Sequence, residues 1–261
     1  MCLLWLSLNL LLACQPLKQS GGNTYAVVVG VGDYQWSTAQ TGDLPNADAD
    51  AKRVVAFLQT DKGGRVPTPH IRLLLDRAAT RRSILNALTL FEQAQPQDRI
   101  LFFFSGHGAE EGFVPYEMKN SGTSCVSYDD VKAAFRASAA QTKLCIADAC
   151  LSGRMRQADT KTTAPTGWRE SSKTGSQANT VMILSSRNNQ VSYESGALGG
   201  GVFTHFLLNG LNGKADANRN RTVTIRELYD YMAPRVRANT ANGQRAVMFG
   251  HFTDDLPVST W

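Results

Sequence analysis

The sequence predicts an α/β protein in which a mostly parallel sheet is covered by helices on both faces. Six short apolar runs are rich in β-branched or aromatic residues, as is typical of strands buried on both faces. Segments with helical spacing of apolar residues separate these runs, and this alternation favours parallel strands joined by helices. The six predicted strands are residues 25–31, 71–75, 100–104, 144–147, 181–184 and 246–249.

Four helices are predicted from apolar spacing and from capping residues. The apolar residues of 50–59 share one helical face, and residues 80–94 begin with a capping threonine, Thr80. Residues 127–130 and 224–227 each begin with Ser or Thr and end with Asp or Glu three positions later. This pattern is that of a capping box at the start of a helix.

Length and composition exclude several classes of protein. A chain of 261 residues with 43% hydrophobic and 19% charged residues can bury a sizeable core without disulfides or metals. Collagen, coiled-coil rods, multi-span membrane proteins and disordered chains are excluded, because no apolar run reaches about 18 residues and no charge block dominates. The net charge of +5 does not predict a nucleic-acid partner, since the basic residues are scattered without interleaved aromatic residues.

The N-terminal segment resembles a bacterial lipoprotein signal. Residues 3–13 are apolar but too short to span a bilayer as a helix, and they end in Leu-Leu-Ala before Cys14. The resemblance implies removal of residues 1–13, lipidation of Cys14, a tether over 14–23, and a chain anchored at or secreted into the bacterial envelope. The segment before the apolar run lacks Lys and Arg. Either the true start therefore lies upstream, or the run is a buried strand and the protein is cytoplasmic.

Two predicted strands end in residues that carry chemistry. Residues 100–104 lead into Ser105-Gly106-His107-Gly108, and residues 144–147 lead into Asp148-Ala149-Cys150. The carboxyl ends of parallel strands meet at one edge of a sheet, so both motifs are expected there. A thiol and an imidazole at neighbouring strand ends form a nucleophile and base pair, and glycine N–H groups nearby can bind an oxyanion.

Together the two motifs resemble those of the caspase-like cysteine peptidases, family C14, and most closely the bacterial metacaspase-like members or orthocaspases. The interval from His107 to Cys150 is of the order found in caspases. The resemblance implies a three-layer α/β/α sandwich around a mostly parallel six-stranded sheet, in one domain over 24–261. Further segments that match the family are 26–34, 112–115, 192–194, 203–204, 210–216 and 227–231.

The resemblance also implies roles for individual residues. Cys150 is the nucleophile and His107 the general acid, and the N–H groups of Gly108 and Cys150 form the oxyanion hole. The implied reaction is hydrolysis of a peptide bond in a protein or peptide substrate through a thioester. No third catalytic residue and no cofactor are implied, and a monomer is expected.

Substrate preference is predicted from three further positions. Asp148 stands two residues before the nucleophile, as in family members that cut after Arg or Lys, and Asp50 and Ser105 match pocket positions of metacaspases. Carboxylates there would bind a guanidinium or ammonium group. In the competing interpretation Asp148 caps the helix after Cys150 and Asp50 caps its own helix. An Asp-specific protease and an inactive binding module on the same fold are the alternative functions.

The polar segment 154–179 is predicted to be an exposed, mobile loop. It carries five basic residues, so a basic-specific enzyme could cut itself there, although a loop that is never cut explains the composition equally well.

Calcium is only weakly indicated. Residues 216–227 have the EF-hand frame, but Arg221 occupies the position that needs Gly, and a capping box already explains Glu227. Asp129 and Asp130 resemble part of a metacaspase calcium site, although a later Asp of that site is Gln157 here. A chelator is therefore expected to change activity little. The oxygen-bearing residues of the EF-hand frame are Asp216, Asn218, Asn220 and Glu227.

Overall fold

The computed structural model describes residues 22–36, 42–109, 111–119, 125–149, 179–185, 194–195 and 198–261. For residues 194–195 only the backbone is described. The predicted signal segment 1–13, Cys14, Cys150 and residues 154–178 of the predicted loop lie outside these ranges. In the part of the chain that is described, no helix has the length and apolar character needed to cross a membrane.

The described residues form five α-helices and thirteen β-strands, with a few short 3-10 turns and one π-helical turn between them. The helices are α1 (Ala47–Leu58), α2 (Arg81–Leu88), α3 (Tyr128–Ala137), α4 (Val202–Asn209) and α5 (Ile225–Asn239). The strands are β1 (Thr24–Gly30), β2 (Ile71–Leu75), β3 (Arg99–Ser105), β4 (Gly108–Ala109), β5 (Gly112–Phe113), β6 (Val126–Ser127), β7 (Thr142–Asp148), β8 (Asn179–Leu184), β9 (Glu194–Ser195), β10 (Gly200–Gly201), β11 (Thr222–Thr224), β12 (Val247–His251) and β13 (Pro257–Thr260).

Six strands form the central sheet in the order β12-β8-β7-β3-β1-β2. The pairs within β2, β1, β3, β7 and β8 are parallel, and β12 runs antiparallel to β8 at the edge. The predicted α/β class and the mostly parallel sheet of six strands are confirmed. Because the four central parallel strands share one direction, their carboxyl ends line a single edge of the sheet.

Both faces of the sheet are buried, which explains why its strands are apolar throughout. Side chains of β3 alternate: Phe102 and Phe104 pack with α2 and α3 on one face, whereas Leu101 and Phe103 pack with α1, α4 and α5 on the other. This alternation follows from the two-residue period of a strand. The result is the helix-sheet-helix sandwich that the sequence predicts.

The ends of several elements differ from the sequence prediction. Helix α1 begins at Ala47 rather than at Asp50, and α2 ends at Leu88 and continues as a 3-10 turn to Gln93. Asn179, predicted as the end of the mobile loop, already belongs to β8. The cap at Thr80 and the capping boxes that open α3 and α5 are confirmed, since each side chain accepts the predicted backbone N–H.

Candidate active site

The ends of β3 and β7 lie side by side, and this pairing brings the two sequence motifs to one place. Ser105 is the register partner of Asp148, and the Gly106 N–H donates to the Asp148 carbonyl at 3.2 Å. His107 follows two residues after Ser105. Cys150 stands at the matching position after Asp148 in the sequence and lies outside the described residues.

A backbone carbonyl fixes the imidazole of His107. Its Nε2 lies 2.7 Å from the carbonyl oxygen of Gly42. A carbonyl oxygen can only accept a hydrogen bond, so this contact assigns a proton to Nε2. In the neutral ring Nδ1 is then the acceptor, and it is the nitrogen that can take up and return a proton.

Tyr34 supports the same histidine from its backbone side. The His107 N–H donates to the Tyr34 hydroxyl at 2.7 Å, and the two rings lie 5.0 Å apart. Tyr34 is almost fully buried, and burial raises the pKa of its phenol, so the group stays neutral. A Cβ at Gly106 would lie 2.7 Å from the Tyr34 hydroxyl, so the approach of the two chains requires glycine there.

Gly42 and Tyr34 both follow β1 in the chain, and Asp76 holds the backbone directly before Tyr34 in place. The Asp76 carboxylate accepts the N–H groups of Gly32 and Asp33 at 2.8 and 3.0 Å. The role of Gly42 could not be predicted from the sequence, because a backbone carbonyl leaves no side-chain signature. Tyr34 stood in a segment that matches the family, but its contact with His107 had no local signal.

Gly108 continues from His107 into the predicted hairpin. It lies in β4, which pairs antiparallel with β5 through Gly108 and Phe113. The His107 carbonyl also accepts the N–H of Val114 at 3.0 Å, which ties the histidine loop to the hairpin. The N–H of Gly108 is therefore carried by a hydrogen-bonded segment next to the imidazole.

Asp50 and Asp148 meet at the N-terminus of α4. Asp50 accepts the N–H of Gly201, the residue before α4, at 3.1 and 3.3 Å through its two oxygens. Asp148 accepts the backbone N–H and the hydroxyl of Thr204 at 3.3 and 2.9 Å. Both carboxylates are buried, with 2% and 4% of the residue exposed. Unpaired N–H groups and the helix dipole favour negative charge at this point.

The two carboxylates are close neighbours. A Cβ at Gly201 would lie 2.4 Å from Oδ2 of Asp148 and 2.6 Å from Oδ2 of Asp50. Burial and the nearby charge of Asp148 raise the pKa of Asp50 to about 7, although Arg53 opposes this shift. The interpretation in which Asp50 caps its own helix is wrong, because its side chain accepts from Gly201 and it is the fourth residue of α1.

Two further side chains complete this part of the site. Ser105 is buried beside Asp148 in the sheet register. Arg53 forms an ion pair with Asp50 from one helical turn further along α1, a partner that the sequence analysis missed. The spacing of three residues between an acidic and a basic residue on a helix is the signal that could have found it.

The candidate calcium ligands are engaged within the protein. Asp130 accepts from the backbone in the α3 capping box and pairs with Arg81 at 3.0 Å, while Asp129 pairs with Lys132 at 3.2 Å. In the second region Asp216, Asn218 and Asn220 accept backbone N–H groups of their own loop, and Glu227 closes the α5 capping box. Within the described ranges, no group of three or more His, Cys, Asp or Glu side chains is arranged to hold a metal ion.

Comparisons with known proteins agree with this architecture. The family model described as the caspase domain, Peptidase C14, matches residues 23–257. The crystal structure of the protein GSU0716 from Geobacter sulfurreducens is similar, with a TM-score of 0.58 and 16% sequence identity, over 89% of this chain and 95% of that chain. At this identity the likeness shows the fold alone. No protein of curated function matches the sequence.

Proposed function

Since this chain belongs to the caspase-domain family of peptidases, we propose that it is a cysteine endopeptidase that works through Cys150 and His107 and cuts after Arg or Lys. The observation that carries the proposal is the pairing of the ends of β3 and β7. Each strand is followed by one half of the dyad, two residues beyond the paired Ser105 and Asp148. The fixed tautomer of His107 supports the same assignment.

The proposed chemistry is acyl transfer in two steps. The Cys150 sulfur, as thiolate, attacks the scissile carbonyl carbon while the protonated His107 gives its Nδ1 proton to the leaving amine. The C–N bond breaks and a thioester remains. Water then attacks the thioester and gives a proton to the neutral imidazole, which releases the acid product and regenerates the Cys150 thiolate and the protonated His107. The N–H groups of Gly108 and Cys150 stabilise the oxyanion in both steps.

Basic specificity is supported by the convergence of two buried carboxylates near the proposed nucleophile. Asp148 is separated from Cys150 by one residue, and Asp50 lies beside Asp148. A guanidinium or ammonium group that enters this region meets carboxylate oxygens in a largely buried setting, where charge-assisted hydrogen bonds are strong. The acidic side chain of an Asp-specific substrate would be repelled by the same pair.

The test is cleavage of three fluorogenic peptides that differ only in the residue before the cut, which is Arg, Lys or Asp. We expect cleavage after Arg and Lys and none after Asp. Asp148→Asn should lower kcat/KM for the Arg peptide by about 100-fold or more, as loss of a buried charged partner does. Faster cleavage after Asp would reverse the specificity, and no cleavage of any peptide would contradict the peptidase itself.

Metal independence and membrane attachment are also part of the proposal. The implied mechanism uses only side chains and backbone groups of the chain, so activity should be equal with calcium and with a chelator. A loss of activity above twofold on chelation would overturn this part. Lipidation of Cys14 would attach the protein to the envelope, and Cys14→Ser should then move it from the membrane fraction to the soluble fraction.

A further inference from the structure

Arg53 forms an ion pair with Asp50, one of the two carboxylates that the proposed basic specificity needs. Its guanidinium contacts Asp50 through Nη2, and its Nη1 donates to the carbonyl of Leu198 at 3.4 Å. The side chain is about two-thirds buried, with 32% exposed. An internal guanidinium thus stands where a basic substrate side chain would also find a partner.

The other contacts of this guanidinium are weak. A hydrogen bond of 3.4 Å is at the long limit, so Leu198 holds Arg53 loosely. The Nε of Arg53 is buried without an acceptor among the described residues, which costs free energy while the side chain stays in place. Asp148, in contrast, is bonded to both the backbone and the hydroxyl of Thr204. Of the two carboxylates, Asp50 is therefore the one whose internal partner a competing cation can displace.

Glycines make room for this arrangement. A Cβ at Gly200 would lie 1.9 Å from Nη2 of Arg53 and 2.4 Å from Oδ1 of Asp50. A side chain at residue 200 would force the ion pair to shift. The backbone of β10 therefore packs against the ion pair, and its second residue, Gly201, donates its N–H to Asp50.

We propose that Arg53 is a specificity-determining residue that competes with the basic side chain of the substrate for Asp50. This inference rests on the proposed basic specificity. In the free protein Arg53 pairs with Asp50, and in the complex the substrate cation takes over part of that carboxylate. Arg53 then weakens binding of every basic substrate without affecting the acyl-transfer steps, because among the described residues its guanidinium bonds to Asp50 and Leu198 and not to His107.

The experiment measures kcat and KM for the Arg peptide, at a pH well above 7 so that Asp50 is ionised, in the full chain with Arg53→Met, which keeps an unbranched apolar stem and removes the charge. We expect KM to fall by about 3- to 10-fold with kcat unchanged, as removal of one modest ion pair from the free state predicts. Arg53→Lys retains the charge and should keep KM close to that of the wild type. Lys52→Met is the matched control, because it removes one positive charge from the adjacent, exposed position of α1.

The outcomes separate the possible causes. A fall in KM for Arg53→Met, reversed by Lys, supports competition. An unchanged or higher KM, or a lower kcat, shows instead that Arg53 only braces Leu198 and the β10 backbone, and overturns the inference. If the Met variant does not fold, Arg53→Gln provides the same test and should also lower KM.

If the wild type does not cut after Arg or Lys, the proposed specificity fails. If it does cut and only the KM prediction fails, the specificity stands and Arg53 has no competing role.

Discussion

Two groups from the loop after β1 orient His107, and both bind atoms other than Nδ1, the atom that transfers the proton in the proposed mechanism. The Gly42 carbonyl accepts from Nε2 and the Tyr34 hydroxyl accepts from the backbone N–H. The imidazole is thus held at its far nitrogen and at its backbone, so Nδ1 is the nitrogen left for proton transfer. In the proposed mechanism a Cys-His pair works without a third catalytic residue, because these two groups supply the orientation.

Tyr34→Phe removes the hydroxyl and leaves the ring. Loss of one hydrogen bond of about 1 kcal/mol should lower kcat by about 2- to 10-fold with little change in KM, because the histidine loop is positioned less well. The measurement is steady-state hydrolysis of the Arg peptide. Tyr231→Phe on α5 serves as the control and should leave kcat unaltered. Equal kcat in wild type and Tyr34→Phe would show that the hydroxyl does not position His107.

Asp50 makes the free energy of unfolding decrease as pH rises, whereas a carboxyl group with a lowered pKa has the opposite effect. Its pKa is raised from 3.8 to about 7 in the folded state, chiefly by burial and then by the charge of Asp148. Between these two values the folded state keeps the proton that the unfolded state has lost, so this group stabilises the fold less as pH rises. Above pH 7 the effect is complete.

Urea unfolding of wild type and Asp50→Asn at pH 4.5 and pH 7.5 tests this sign. The free energy of unfolding of the wild type, relative to that of Asp50→Asn, should be lower at pH 7.5 by on the order of 3 kcal/mol. Taking the difference between the two proteins removes the contributions of titrating groups that do not interact with Asp50. A difference that is constant with pH, or one that grows toward pH 7.5, would contradict a raised pKa.

Among the elements, the start of α4 provides backbone donors for both carboxylates of the proposed specificity site. Gly201, the residue before α4, donates its N–H to Asp50, and Thr204, the third residue of the helix, donates its N–H to Asp148. The helix N-terminus stabilises two carboxylates that would otherwise repel each other when buried together. One helix end thus holds the charges that a basic substrate would meet.

Gly201→Ala tests this junction. The added methyl group would lie within 2.6 Å of an oxygen from each carboxylate, so both side chains must shift. The backbone φ of −61° suits alanine, so backbone strain does not contribute. We expect KM for the Arg peptide to rise by about 10-fold or more, with a far-UV circular dichroism spectrum like that of the wild type. An unchanged KM would mean that substrates do not reach this carboxylate pair.

At the scale of the whole molecule, the sheet is a shared core for two helical layers. Phe103 is fully buried on the face shared by α1, α4 and α5, and it neighbours strands on both sides. Phe103→Ala should lower the free energy of unfolding by about 3–5 kcal/mol, because it removes buried apolar surface and also leaves a cavity. Urea denaturation measures this change. A loss below about 1 kcal/mol would show that the core is packed more loosely than the structure indicates.

The sequence predicted the sheet better than it predicted the helix ends or the site contacts. Strands buried on both faces are unbroken apolar runs, which are visible without tertiary information. The predicted start of α1, Asp50, lies three residues after the observed start, Ala47. The cap residue Asn46 makes no side-chain capping bond, so the helix lacks the capping contact that marks the starts of α2, α3 and α5. The motifs at His107 and Asp148 were found because chemistry restricts residue type, whereas the carbonyl of Gly42 and the donors of α4 depend on how distant segments pack.

Covalent labelling can show whether Cys150 is the nucleophile of a basic-specific peptidase. The protein is incubated with a thiol-reactive peptidyl inhibitor that carries Arg at the position before the reactive group, and the modified residue is located by peptide mass mapping. Cys125 and Cys145 are buried, and burial raises the pKa of both thiols, so neither should react. We expect one label on Cys150, none in Cys150→Ala, and much slower labelling by the matching Asp inhibitor. A label elsewhere, no label, or faster reaction of the Asp inhibitor would contradict a basic-specific cysteine peptidase.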